Sequence, residues 1–178
     1  NHASVRPLPI KSFDRSGQVI LCSSFSKSLS PGARIGWVAG PPTTVEAIWA
    51  HRDYTTLAPS ILSDRLARIA LEPGRREKIF ARTRSILRTN LPPLEKWIAS
   101  HSDIFDYTPP QAGAIVFIKY RLPIGSIALV DRLRKEQSVL IVAGDQCGLA
   151  KHIRIGYGSP VEYTRKGLGR IDIVVEKY

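Results

Sequence analysis

Apolar positions change their spacing three times along the chain, and each change predicts a different kind of element. Gln18-Val19-Ile20-Leu21-Cys22 and Ile35-Gly36-Trp37-Val38-Ala39 are short and almost wholly apolar, the pattern of strands buried on both faces. Ahead of them, Arg6-Pro7-Leu8-Pro9 blocks regular pairing and Asp14-Arg15-Ser16-Gly17 reads as a turn. From Thr43 the spacing becomes helical, with Val45, Ile48 and Trp49 on one face and Thr43 or Thr44 as N-cap. A second helix is expected from about Ser60 to Leu71, after a polar loop over Asp53 to Pro59. A long helix then begins near Pro73 and carries an apolar stripe through Phe80, Leu87, Leu94 and Ile98. Pro93 is expected to kink or break it, because a proline ring clashes with the preceding turn.

After His101 short strands and helices alternate over brief loops. Strands are predicted at Ala114–Ile118, Val139–Val142 and His152–Tyr157, and helices at Ile127–Glu136 and Val161–Lys177, the texture of a compact α/β or α+β unit. The long helix, rich in arginine on its outer face, reads as a connector between two domains.

Composition narrows the function classes. The chain has 178 residues, 43% of them apolar and 23% charged, with no low-complexity tract, so a packed core is within reach and disorder is not the default. No apolar run approaches the roughly 20 residues of a membrane span and no signal segment opens the sequence, so a cytoplasmic protein is expected. Cys22 and Cys147 lack metal-site spacing and are expected to be reduced core thiols, with a disulfide as the alternative. His51, His101 and His152 also lack metal spacing, and no metal is expected. The net charge of +11 is concentrated in Arg75, Arg76, Lys78, Arg82, Arg84 and Arg88 and in Arg132, Arg134 and Lys135. With no zinc-finger, homeodomain or RNP-like pattern, these read as solvated helix faces rather than a phosphate-backbone groove.

The chemistry-bearing stretch is SSFSKSLSPGARIGW, Ser23 to Trp37. Lys27 follows an apolar strand in a serine-rich turn, and Arg34 stands between Gly32 and Gly36. Small residues let backbone approach a ligand closely, hydroxyls and free N–H groups favour an oxyanion, and a guanidinium grips phosphate through its fork of donors. An amine beside a phosphate seat suits a phosphorylated aldehyde cofactor, pyridoxal 5′-phosphate. The P-loop pattern is absent, since no glycine stands in the required places before Lys27-Ser28.

This stretch resembles the cofactor-lysine motif S-x-S-K-x-x-x-P-G-x-R-x-G-W of the class I/II aminotransferases, the fold type I pyridoxal-phosphate enzymes, at every fixed position. Pro110-Gln111-Ala112-Gly113-Ala114 and the late segments VLIVAGDQCG and HIRIGYG are similar to the family's small-domain strands. The resemblance implies an α/β, aspartate-aminotransferase-like fold, with 1–72 as the end of the large cofactor domain and 73–178 as the interdomain helix and small domain. It implies Lys27 as the Schiff-base residue and proton carrier, Ser24, Ser26 and Arg34 as phosphate contacts, and Arg154 as the residue gripping the substrate α-carboxylate. It also implies amino acid and 2-oxo acid substrates and a homodimer, with Tyr54, Thr55 and Thr56 as a further, weaker candidate for reaching a neighbour's cofactor phosphate.

The family's pyridine-nitrogen aspartate, ring-stacking aromatic and glycine-rich turn come before the lysine, and nothing in residues 1–26 looks like them. The sequence matches the carboxyl half of such an enzyme, and these residues alone are expected to be inactive. The absence of methionine points the same way, or to modified methionines left out of the sequence. Other readings stay open: a lyase, a cyclase or an acyltransferase with the same cofactor, an aminotransferase-like sensor in a regulator with a separate upstream DNA-binding domain, or a basic nucleic-acid module.

Overall fold

A computed structural model describes residues 8–178, so the expectation at Arg6-Pro7 lies outside the described residues. The described chain divides into two compact units, 8–82 and 83–178, with the division inside one long helix.

In the first unit, β1 (Leu21–Ser24) and β2 (Gly36–Ala39) form a two-stranded antiparallel sheet in which Leu21 pairs with Ala39 and Ser24 with Gly36. The turn before β1 is closed by charge. Lys11 Nζ donates to the Asp14 carboxylate at 2.7 Å and to the Val19 carbonyl at 2.9 Å. The Gln18 and Val19 amides donate to Asp14 from the other side. The lysine hydrogen bond and the Val19 amide hold the Asp14 carboxyl well below its ordinary value of 3.8.

A carboxylate held low contributes stability that is fully present above its unfolded value and is lost as pH falls through its folded value. Wild type and Asp14→Asn are therefore expected to differ in stability near neutrality, and the gap is expected to begin closing below about pH 4, the unfolded aspartate range, and to vanish only in stronger acid. Denaturant midpoints taken across pH check this, and a gap that persists unchanged in strong acid refutes it.

Helices α1 (Pro42–Arg52) and α2 (Ile61–Leu71) follow. Helix α1 starts one residue before Thr43, behind Pro41, with no side-chain cap, so neither Thr43 nor Thr44 is its N-cap. Proline at the first helical position presets φ and gives up an amide that would be unpaired anyway. Both strands differ from the sequence expectation in burial. Trp37 and Val38 are exposed rather than buried, and so are Ile61, Leu62 and Leu66 on α2. Ala67 is the one apolar side chain of this unit that is buried among the described residues. The runs have the composition of inner strands, but a two-stranded sheet offers no second layer to cover them.

Helix α3 (Pro73–Ser100) runs unbroken through Pro92 and Pro93. Its second half is clamped by packing: Leu87, Leu94, Trp97 and Ile98 are buried in the core of the second unit, and this offsets the hydrogen bonds the prolines cannot make.

The second unit has a four-stranded antiparallel sheet in the order β3 (Phe105–Tyr107), β4 (Ile115–Tyr120), β6 (His152–Gly156), β5 (Val142–Ala143). Along β4, Val116, Ile118 and Tyr120 turn to the core while Ile115, Phe117 and Lys119 face away, the period of two that a one-sided sheet requires. The inward residues meet Leu129 and Leu133 of α4 (Ser126–Gln137) and Leu168, Ile171 and Val174 of α5 (Val161–Val175). The strand expected over Val139–Val142 shrinks to Val142–Ala143, since Ser138 takes a left-handed turn at φ 53° and the chain joins the ladder late.

Polar ties complete this core. Asn90 sits within the apolar stripe of α3 and donates from Nδ2 to the carbonyls of Tyr157, at 2.8 Å, and of Ser159. The buried Tyr157 hydroxyl donates to the Gly113 carbonyl at 2.6 Å, and burial raises its pKa. Trp97 Nε1 donates to Asp172 at 2.6 Å, linking α3 to α5. Cys22 and Cys147 are free, as expected, but both are exposed, because neither of their segments enters the core. No helix among the described residues is long and apolar enough to cross a membrane.

Candidate active site

The serine-lysine stretch forms the connection between β1 and β2. The Phe25 amide donates to the Ile35 carbonyl at 2.9 Å and so extends the pairing one step beyond Ser24 and Gly36. Inside that closure the Leu29 and Ser30 amides both donate to the Phe25 carbonyl, which winds Phe25 to Ser30 into a tight turn carrying Lys27. Pro31–Ala33 then makes one 3-10 turn, capped by the Ser30 hydroxyl accepting from the Gly32 amide at 3.3 Å. Ser24, Ser26, Lys27 and Arg34 are thus brought onto one hairpin by paired strands and a hydrogen-bonded loop.

The four positions differ in exposure and in how far their side chains are engaged. Ser24 ends β1 and is exposed, Ser26 is half-buried, and Lys27 is exposed on the turn. The Ser30 hydroxyl is already committed to its cap, accepting from the Gly32 amide. Arg34 adopts a left-handed backbone at φ 50°, unusual for a residue with a side chain and of a kind that collects at functional sites. Its Nη1 makes one long contact, 3.4 Å, to the Pro31 carbonyl, so most of the guanidinium fork is uncommitted. At Gly36 a Cβ would lie 3.1 Å from the Ser23 carbonyl oxygen, a tight approach that a bare Cα accommodates without a shift of the neighbouring strand.

Arg154 lies in the second unit. It sits mid-strand on β6, paired with Phe117 on one side and Val142 on the other, on the sheet face away from the core. It is half-buried, and no hydrogen bond or ion pair among the described residues engages its guanidinium. A charged group lifted partly out of water with no internal counter-ion is a fitting receptor for a carboxylate. Asn90 and Tyr157, which the sequence analysis did not single out, anchor the segment just after this strand. The signal for Asn90 was its place, a polar residue on the apolar stripe between Leu87 and Leu94.

Two further candidates play smaller parts. Gly113 in the Pro110–Ala114 segment has φ +91°, which only glycine adopts freely, and delivers the chain into β4. Tyr54 is 90% exposed, and the Thr55 hydroxyl is occupied by the Arg52 carbonyl at 3.1 Å.

Comparison with known proteins gives a consistent set. The family described as aminotransferase class I and II matches residues 3–171. The chain is 28% identical over 177 residues to an uncharacterized HTH-type transcriptional regulator, YdfD, of Bacillus subtilis (strain 168), covering 97% of this chain and 36% of that protein. It is 29% identical over 164 residues to capreomycidine synthase of Streptomyces vinaceus, covering 92% of this chain and 41% of that enzyme. Among solved structures, a PLP-dependent aminotransferase from Streptococcus suis superposes with a TM-score of 0.82 at 29% identity, covering 89% of this chain and 42% of that one. The chain therefore spans less than half the length of the proteins it matches.

Proposed function

The chain belongs to the aminotransferase class I and II family with a fold type I architecture, and from that premise we propose that a protein carrying it moves an amino group between an amino acid and a 2-oxo acid. The cofactor of the family is pyridoxal 5′-phosphate. In this reading residues 1–72 complete a large cofactor domain, 73–178 form the connecting helix and small domain, and the assembly is a cytoplasmic homodimer.

The observation that carries it is the hairpin, where one short loop between paired strands presents an amine, free hydroxyls and an uncommitted guanidinium. When bound, the cofactor supplies an aldehyde for the amino group and a conjugated ring that accepts the electron pair left at Cα. Ser24 and Ser26 would hold its phosphate through their hydroxyls, and Arg34 would add charge-assisted donors. Lys27 Nζ would hold the cofactor covalently and, once displaced by the substrate amine, would be the free base that takes the proton from the substrate Cα. Arg154 grips the substrate carboxylate and fixes its orientation, which is an effect of position rather than of bond-making.

Capreomycidine synthase among the relatives supports cyclisation as a second outcome from the same lysine, and YdfD supports an aminotransferase-like sensor beside a DNA-binding domain. One experiment separates them. The longer protein, loaded with pyridoxal 5′-phosphate and given single amino acids, is expected to yield the matching 2-oxo acid and the aminated cofactor. Release of ammonia or of a ring-closed product instead moves the assignment to a lyase or cyclase. Binding of the amino acid without turnover moves it to a sensor.

A further inference from the structure

Helix α3 buries one carboxamide in its apolar stripe, Asn90, which is 3% exposed between Leu87 and Leu94. A buried carboxamide costs stability unless its hydrogens are met, and a leucine would fill the same space without that demand. Asn90 meets it by donating both Nδ2 hydrogens, one to the Tyr157 carbonyl and one to the Ser159 carbonyl. An aspartate of the same shape, once ionised, donates neither bond.

Both acceptors lie on the segment that leaves β6. Along β6 the side chains alternate, with Ile153, Ile155 and Tyr157 buried in the core and Arg154 and Gly156 on the other face. The strand loses support just past Arg154. On one side β5 pairs only with Ile153 and Arg154, so from Ile155 onward β4 is the single neighbour. Three bonds replace the missing strand. The Tyr157 amide donates to the Ala114 carbonyl at 2.9 Å, the Tyr157 hydroxyl donates to the Gly113 carbonyl at 2.6 Å, and Asn90 holds the Tyr157 carbonyl from the helix at 2.8 Å. A satisfied buried network of this kind rigidifies the backbone it joins.

We propose that Asn90 is a positioning residue for the substrate carboxylate: it holds the exit of β6 through Tyr157 and Ser159 and so fixes the backbone that aims Arg154. The inference rests on the carboxylate-gripping reading of Arg154 given above and adds the residue that keeps this arginine in place.

The test uses the longer protein loaded with pyridoxal 5′-phosphate. Its substrates are the fastest of the twenty common amino acids and the primary amine that lacks only that acid's carboxyl group. Asn90→Leu is expected to raise KM for the amino acid about tenfold, the scale of one hydrogen bond to a charged group, and to leave kcat and the amine reaction near wild type. Hydrogen exchange at the Tyr157 amide is expected to quicken in the same variant. Trp97→Phe cuts a different tie of α3, the bond to Asp172, and is expected to lower the melting temperature without changing either substrate. Where Asn90→Leu does not fold, Tyr157→Phe, which removes only the hydroxyl bond to Gly113, is expected to show the same split at smaller size. An unchanged KM in the folded variant, equal losses for acid and amine, unchanged exchange at Tyr157, or the same split in Trp97→Phe overturns the inference. Arg154→Gln is expected to erase the preference for the acid over the amine. If it does so while Asn90→Leu leaves KM unmoved, only the positioning role falls. If Arg154→Gln keeps the preference, or no amino acid is turned over, the reading beneath it falls as well.

Discussion

Replacing Gly144 with alanine is expected to destabilise the unit of residues 83–178 strongly and lower its urea midpoint. A Cβ on Gly144 would lie 2.2 Å from the Leu149 carbonyl oxygen and 2.6 Å from both the Cβ and the carbonyl oxygen of His152. The first and last of these are backbone atoms, and neither is free to retreat. The Leu149 amide donates to the Gly144 carbonyl at 2.9 Å, and His152 opens β6, paired with Lys119. Nearby, the Ser126 hydroxyl donates to the Asp145 carboxylate while the Asp145 amide donates back to the hydroxyl at 3.1 Å, so the turn is also tied to the start of α4. A clash against so many fixed neighbours is expected to cost about 3 kcal/mol, the upper end of the usual overpacking range and a large share of a domain's typical 5–15 kcal/mol. The control is Gly125→Ala, where a Cβ meets nothing within 4 Å and little change is expected. Urea midpoints by circular dichroism check both, and a wild-type midpoint for Gly144→Ala refutes the account.

Lys27→Ala is expected to lower catalysis by the longer protein about 10⁴-fold, since in the proposed reading the same amine is covalent anchor and proton carrier. The turn itself is expected to survive. It is held by the amides of Leu29 and Ser30 on the Phe25 carbonyl and by the Ser30 cap, none of which uses the lysine side chain. The expected signature is therefore a folded variant that still takes up cofactor through Ser24, Ser26 and Arg34 but does not retain it after borohydride treatment and denaturation, whereas wild type does. A variant that keeps covalently attached cofactor, or full turnover, places the chemistry on another residue.

The hairpin was legible in the sequence because its residues are contiguous: apolar runs flank it, and spacing alone puts Ser24, Lys27 and Arg34 on one loop. The strand of Arg154 and the helices α2, α4 and α5 were legible for a similar reason, since each carries its period within itself. What escaped depends on contacts distant in sequence. The short β3 is defined by Phe105 meeting Tyr120 and packing 5.0 Å from the Trp97 ring, and three residues carry too little pattern to announce a strand. The unbroken passage of α3 through Pro92 and Pro93 depends on how Leu87, Leu94 and Ile98 pack. The exposure of Trp37 and Val38 escaped because composition reports what a strand is suited to, not whether a second layer lies over it.

The two units differ in how much of their order they own. Residues 83–178 enclose an interior, while the hairpin with Lys27 belongs to a unit whose large side chains, Trp37, Leu62 and Leu66 among them, lie open to water. A surface that settled on those side chains and ordered the strands around Lys27 would be coupled to that loop. Thermodynamic reciprocity then requires a molecule gripped by the loop to strengthen that settling by the same factor.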